Sequence, residues 1–315
     1  SPMSEQSPST LAGLMAQWKS AFTAWLDSSA VEVSELDANR VDWLRTIPFV
    51  GMHLACFGII WVGVSTTAVI VAVAMYALRM LAITGFYHRY FSHRTFRTSR
   101  SMQFVFAALG AMAVQRGPLW WAAHHRHHHA HSDEPIDAHS PNQHGFFWSH
   151  IGWFMNRRNF ATRTELVKDL AQYPELRFLD RFDVLMPVVL AVVLFTIGGA
   201  QLLVWGFFVS TVVLYHATFT VNSLAHVFGR RRYATRDFSR NNWLLALVTF
   251  GEGWHNNHHH FPGSIRQGFY WWEIDLTYYV LRTLAALGLI WDLKTVPARI
   301  RDARRDVDGA IRRTT

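Results

Sequence analysis

Two pairs of apolar runs, each pair joined by a short uncharged turn, constrain this chain more than any other feature. The first pair is IPFVGMHLACFGIIWVGV (47–64) and AVIVAVAMYALRMLAITGFY (68–87), with only Ser65, Thr66 and Thr67 between them. VLMPVVLAVVLFTIGGA (184–200) and LLVWGFFVSTVVLYHATFTV (202–221) form the second pair, which turns at Gly199–Gln201. A bilayer's hydrocarbon core is about 30 Å thick and takes roughly 20 helical residues to cross. The first run falls slightly short and borrows Trp43 to Thr46 as an interfacial end. Pro187 does not exclude a span, because membrane bundles tolerate such breaks. The pattern predicts an all-α membrane protein with four transmembrane helices in two hairpins. Composition agrees, since 50% of the 315 residues are hydrophobic and only 17% charged, against about 25% charged in a soluble domain.

The remaining segments arrange themselves around these spans. MQFVFAALGAMAV (102–114) is apolar but reaches only about 20 Å as a helix, so it is expected to be buried or interfacial. LAGLMAQWKSAFTAWL (11–26) has helical apolar spacing, which suits either a bilayer surface or the protein's own cap. Residues 88–182 hold twelve Arg and Lys while the two hairpin turns hold none. The positive-inside rule therefore places both termini and every histidine-rich segment in the cytoplasm. Three regions follow: an N-terminal segment over 1–46, a membrane domain over 47–292 whose helical cap is formed by 88–183 and 222–292, and a polar tail over 293–315, expected at the surface or partly disordered. The first 40 residues mix apolar and charged residues and show no signal-peptide pattern.

The formal charge of +8 suits anionic lipid better than nucleic acid, because the basic residues flank apolar runs and no nucleic-acid motif is present. Cys56 is the one cysteine, which excludes an internal disulfide and a thiolate-held iron–sulfur cluster.

Of eighteen histidines, thirteen fall into sets at the ends of these spans. HRYFSH holds His88 and His93; HHRHHHAH holds His124, His125, His127, His128, His129 and His131; NSLAH ends in His226; and GEGWHNNHHHFPG holds His255, His258, His259 and His260. Residues three or four apart share a helix face, so His125 with His128 and His129, and His255 with His258 and His259, can each aim at one volume. His88 and His93 are five apart, and a distorted turn is needed to bring both inward. Imidazole suits transition metals, and a single zinc needs four ligands, so eight or nine candidates imply two metal ions. His127, His131, His124 and His260 read as surface or supporting extras. His53 and His216, inside spans, read as hydrogen-bonded helix residues, and His139, His144 and His150 as groups that orient ligands.

These motifs resemble the integral-membrane fatty acyl desaturases of the delta-9 (stearoyl-CoA desaturase) type, in their bacterial branch. HRYFSHRTF (88–96), HHRHHHAHSD (124–133) and GEGWHNNHH (251–259) are similar to that family's three histidine boxes, and NSLAH (222–226) to its additional segment. The likeness runs from about 47 to 292. It implies two irons held by His88, His93, His125, His128, His129, His226, His255, His258 and His259, with Asn222 holding a metal-bound water. It also implies O2 as co-substrate, an acyl-CoA or membrane-lipid substrate desaturated at carbon 9, and an inner (plasma) membrane location. His124 stands where the animal enzymes carry an acid, and QRGPLWW is closer to bacterial members, which leaves the acyl carrier open.

No flavin, nicotinamide, haem or cysteine-cluster pattern is present, so electrons are expected from a separate ferredoxin or cytochrome with its reductase. Arg157, Arg158 and Arg230 to Arg232 would suit an acidic carrier and equally suit the membrane surface. Tyr76, roughly 18 Å before His88 on a helix, is a candidate plug for the acyl tunnel. Arg116, Trp120 and Trp153 are candidates for its headgroup or metal-site wall. Two other readings stand beside desaturation: a di-iron hydroxylase or ketolase, and a membrane metal-binding protein without catalysis. The second would want polar groups along a midplane path, where the spans offer chiefly Arg79 and His216.

Overall fold

The structure, a computed structural model, describes residues 10–30 and 40–303. The expectations for the outermost residues, including 304–315 of the tail, lie outside the described residues. Among the described residues, three helices are long and apolar enough to cross a membrane: α2 (Trp43–Val62), α3 (Thr66–Ser92) and α7 (Leu185–His226). The other principal helices are α1 (Leu11–Leu26), α4 (Arg100–Ala111), α5 (Pro118–His131), α6 (Pro174–Arg181), α8 (Trp243–Val248), α9 (His255–His260) and α10 (Leu276–Ala286). A two-stranded antiparallel pair joins β1 (Arg97–Thr98) to β2 (Ile290–Trp291), and the other named elements among the described residues are helical.

Caps mark the starts. The side chains of Asp42, Ser65, Ser99 and Asp275 accept from the backbone N–H three residues on, opening α2, α3, α4 and α10, which satisfies donors a helix start leaves unpaired. α2 and α7 keep apolar side chains on their outer surfaces, with Ile60, Trp61 and Ile197 each more than 70% exposed. Large exposed apolar surface of this kind belongs against lipid.

α7 has 42 residues, about 63 Å as a straight helix, roughly twice the hydrocarbon core. Its backbone breaks at Gly199 (φ 66°, ψ −157°), a conformation open to glycine and costly for other residues. Gly206 packs against Leu194, which a straight helix would hold about 18 Å away. The Gly199 bend is tied to the α2–α3 turn: Ser65 donates to Gln201 Oε1 (2.8 Å), Gln201 donates to the Val62 carbonyl (3.0 Å), and Trp205 Nε1 donates to the Gly63 carbonyl (2.8 Å).

The opposite end carries the cap. α4 is half-buried, with Phe106 and Ala107 against the core and Phe104 and Val105 exposed. Gly110 permits its close approach to α3, because a Cβ there would enter the Tyr87 ring. α1 buries only Ala24 and touches α2 through Trp25, whose Nε1 donates to the Leu44 carbonyl at 2.7 Å. The start of the polar tail lies on the cap, where Lys294 N–H donates to the Thr95 carbonyl and Tyr233 donates to the Arg301 carbonyl.

Candidate metal centre

The last eleven residues of α3, Ala82–Ser92, wind as a π-helix. In an α-helix His88 and His93 would point about 140° apart; i→i+5 winding brings residues five apart close to one line. The N–H of His93 accordingly donates to the His88 carbonyl at 3.2 Å. Both rings then face His125 and His129 of α5, whose α-helical spacing needs no such distortion.

Two groups of imidazoles result. His88, His93, His125, His129 and His258 form one, and His128, His226, His255 and His259 the other, the candidate ligand atoms in each lying within 4.8 Å of one another. Every histidine assigned to a metal from the sequence thus falls into one of two clusters. α9 divides its residues between them, sending His258 to the first and His255 and His259 to the second.

Four carboxylates, which the sequence reading did not assign, fix the rings. His88 Nδ1 lies 2.5 Å from Glu252, His128 Nδ1 3.0 Å from Asp137, His226 Nδ1 2.7 Å from Asp133 and His259 Nδ1 2.6 Å from Asp237. An Nδ1–H held by a carboxylate leaves the Nε2 lone pair free for a metal. Nε2 of His128 and of His259 are both buried without a partner, which is what a ligand nitrogen aimed at a cation looks like. Glu252, Asp133 and Asp137 stood inside or beside the quoted motifs, in GEGW and HSDEPID, while Asp237 lies eleven residues past NSLAH, and the pairing of all four with particular rings depends on tertiary contacts.

Burial, followed by the neighbouring imidazoles, holds His125, His129, His255 and His258 well below the usual histidine range. They are neutral, as ligands must be. Burial also opposes charge on His128, but Asp137 outweighs it and raises the group; at His259 burial wins over Asp237 and lowers it. Burial likewise favours the acid form of Asp133, Asp137, Asp237 and Glu252. Their imidazole partners, joined at Glu252 by Arg89, outweigh that and keep all four below the usual carboxylate range. An all-nitrogen, partly neutralised site of this kind fits a divalent transition metal such as iron.

Other histidines settle elsewhere. His131 pairs with Glu134, and His260 stacks on Tyr233 at 3.9 Å. His144 donates to the Asp137 carbonyl and the His139 ring lies tilted against His128 with centroids 4.2 Å apart, so both support the second group. His53 and His216 meet through their Nε2 atoms at 2.8 Å, and His216 Nδ1 contacts His150, which reaches Ser223.

A cavity of about 470 Å³ adjoins both groups, within the usual range for ligand sites. His88, His125, His128 and His255 reach it, as does Asn222; Met52, Met80, Ala191 and Phe207 line an apolar part, and Arg45, Arg116 and Phe160 a more polar one. Trp120 and Trp153 also line it, as expected. Tyr76 does not: its hydroxyl donates to the Val248 carbonyl at 2.6 Å and its ring packs on Phe250. Met80, four residues further along the same helix, does line it. Arg232 is engaged by Glu273 at 2.8 Å, which ties it to the cap.

The sequence model of the fatty acid desaturase family matches residues 65–292. The chain belongs to the fatty acid desaturase family. It is 40% identical over 258 residues to an sn-1 stearoyl-lipid 9-desaturase of Anabaena variabilis, covering 81% of this chain and 94% of that protein. An sn-2 palmitoyl-lipid 9-desaturase of Nostoc sp. (strain 36) is 40% identical over 64% of this chain and 73% of its own length. An acyl-CoA 5-desaturase of Anemone leveillei is 37% identical over 87% of this chain and 85% of its own length. The desaturase is therefore an oxidoreductase of lipid metabolism, acting on acyl chains at a membrane that it crosses more than once.

Proposed function

We propose that this desaturase introduces a cis double bond at carbon 9 of a saturated acyl chain carried by a membrane glycerolipid. The observation that carries the chemistry is the pair of imidazole clusters opening on one largely apolar cavity. The carrier and position follow two of the relatives, which are 9-desaturases of acyl-lipids. The nine histidines named above would hold two irons, and Asn222 an ordered water. Bound there, two irons with O2 would supply the oxidising power to take two vicinal hydrogens from an unactivated methylene pair. Two further electrons and two protons, with O2 and those hydrogens, give two waters. The electrons would come from a separate ferredoxin or cytochrome-type donor.

The chain's own residues do the positioning. Glu252, Asp133, Asp137 and Asp237 fix which imidazole nitrogen faces inward. Burial of the ligands keeps bulk water from the cavity, and its walls hold a flexible hydrocarbon in one conformation. Four spans in two hairpins, reversing at Gly63–Ser65 and Gly199, account for the bend in α7 and for the bonds between the two turns. With the spans set this way, the basic cap and its histidines face the cytoplasm across the plasma membrane.

The deciding experiment is lipid analysis by mass spectrometry of a bacterium expressing the chain or its His258→Ala variant. A new carbon-9 monoene present only with the native chain is expected. Hydroxylated chains would move the reading to a hydroxylase. No new product, in a host that supplies iron and a competent donor, would remove the reading altogether.

A further inference from the structure

One wall of the cavity carries four polar nitrogens without partners: Nδ1 and Nε2 of His124, Nδ1 of His139 and Nε1 of Trp153. The three residues are 4%, 4% and 7% exposed, and all line the cavity. Their rings form one patch, with Trp153 lying 5.6 Å from His124 and 5.0 Å from His139. An unpartnered buried donor or acceptor costs free energy that a ligand or water repays. His139 lies close to His128 and Asp137, yet both oxygens of Asp137 already accept bonds, from His128 Nδ1 and from the backbone N–H groups of Asp133 and His139.

We propose that His124, His139 and Trp153 form a subsite for an uncharged acceptor oxygen of the substrate, the ester carbonyl that joins the acyl chain to its carrier. The indole N–H can only donate, so the group it meets is an acceptor. It is uncharged, because aromatic rings surround the wall and a buried anion needs a paired cation. The nearby guanidinium of Arg116 is engaged by Asp183 at 2.7 Å and by the Phe160 carbonyl at 3.0 Å. A saturated chain offers no polar handle along its length, so the carbonyl oxygen of its own ester is the first acceptor met from the hydrocarbon side and the one that answers this wall.

Position gives the subsite its consequence. His139 lies against His128 of the second imidazole group, and Trp153 stacks on Trp120, whose ring carries the Arg116 guanidinium at 4.8 Å. The wall thus runs from the metal groups toward Arg116. A carbonyl held there sets the origin from which methylenes are counted to the reactive pair. This rests on the desaturase reading proposed above.

The test uses purified full-length, iron-loaded protein, supplied for the product assay with O2 and a reduced ferredoxin that is known to serve a related desaturase, with methyl stearate and octadecane, equal in chain length and differing in the ester. Binding of each is measured for the native chain and for Trp153→Phe and His124→Phe, and double-bond position is read from the products. The native chain is expected to prefer the ester by about tenfold, as one buried hydrogen bond would give. The variants should bring that preference within about twofold, leave octadecane binding unchanged and spread the double bond over neighbouring positions. Equal binding of ester and alkane by the native chain would show that the wall holds only water and would overturn the proposal, without need of any variant. Preference and position unaltered in both variants would overturn it too. Ester preference in a native chain that forms no double bond would support the subsite and sink the desaturase reading.

Discussion

The backbone N–H of His93 donates to the carbonyl of His88, five residues earlier, at 3.2 Å. That one bond decides whether a five-residue spacing can serve one metal. Deleting a single residue from the π-helical stretch, such as Gly85, should restore α-winding and leave His88 and His93, still five apart in sequence, pointing about 140° apart. The first group should then lose its ion while the second, built from α5, α7 and α9, keeps its own. Bound iron, measured by elemental analysis, should fall from two per chain toward one. Two retained irons would show that the winding is not what aligns these ligands.

Asp237 tests the role of the carboxylates. It holds His259 Nδ1 at 2.6 Å with one oxygen and accepts from Ser239 with the other. In Asp237→Asn the amide NH2 would face Nδ1, push the proton to Nε2 and remove the lone pair from the metal side. Iron retention under a chelator challenge should weaken by 10- to 100-fold, with little change in melting temperature. Unchanged retention would reduce Asp237 to a structural partner of Ser239 and Thr235.

Chain-length preference should follow Met80 and ignore Tyr76. Met80 lines the cavity, whereas Tyr76 is bonded to the Val248 carbonyl outside it. Met80→Ala should favour longer acyl chains, each added methylene gaining about 0.8 kcal/mol if it fills the vacated space, or roughly fourfold in relative binding. Tyr76→Phe should leave the preference where it was. Competition between saturated chains of stepped length measures both, and a shift in Tyr76→Phe alone would reverse the assignment.

The sequence separates what local patterns encode from what packing decides. His125, His128 and His129 could be grouped because α-helical spacing is regular, and the spans because hydrocarbon demands unbroken apolar length. His88 and His93 required a distortion whose form, eleven residues of π-helix, no local pattern specifies. Asp133, Asp137 and Glu252 sat in or beside the motifs in plain view, yet an acid near a histidine in sequence does not say which ring it meets. Asp237 belongs to His259, twenty-two positions away. Tyr76 was placed by counting turns, and counting cannot tell which face of α3 meets the cavity and which meets α8.

Acid should weaken the joint between α3 and the cap. Arg126 donates to the carbonyls of Phe91 and Ser92 and to both oxygens of Asp169. Burial favours the protonated acid, but Arg126, with Arg94, outweighs it and lowers Asp169 below the usual carboxylate range. A lowered folded-state value means stability present above the unfolded value of about 3.9 and lost as pH falls through the folded one. Solvent reaches this pair, so the loss should be no more than about 1 kcal/mol. The melting temperature of the native chain should therefore drop more between pH 5 and pH 3 than that of Asp169→Asn. Parallel curves would mean the pair adds nothing.

Membrane topology is the remaining structural claim, and one cysteine makes it accessible. With Cys56→Ala as a background, single cysteines at Val64→Cys, Ala200→Cys and Arg177→Cys sample both turns and the cap, all at exposed positions. If α7 reverses at Gly199, its bend and the α2–α3 turn lie on the same side, as the Ser65–Gln201 bond at 2.8 Å requires. A membrane-impermeant maleimide added to cells with a permeable outer envelope should label Val64→Cys and Ala200→Cys, and should reach Arg177→Cys only after the plasma membrane is opened. Labelling of Arg177→Cys in intact cells would invert the orientation. Labelling of Val64→Cys without Ala200→Cys would break the second hairpin and leave α7 without the reversal that brings Leu194 against Gly206.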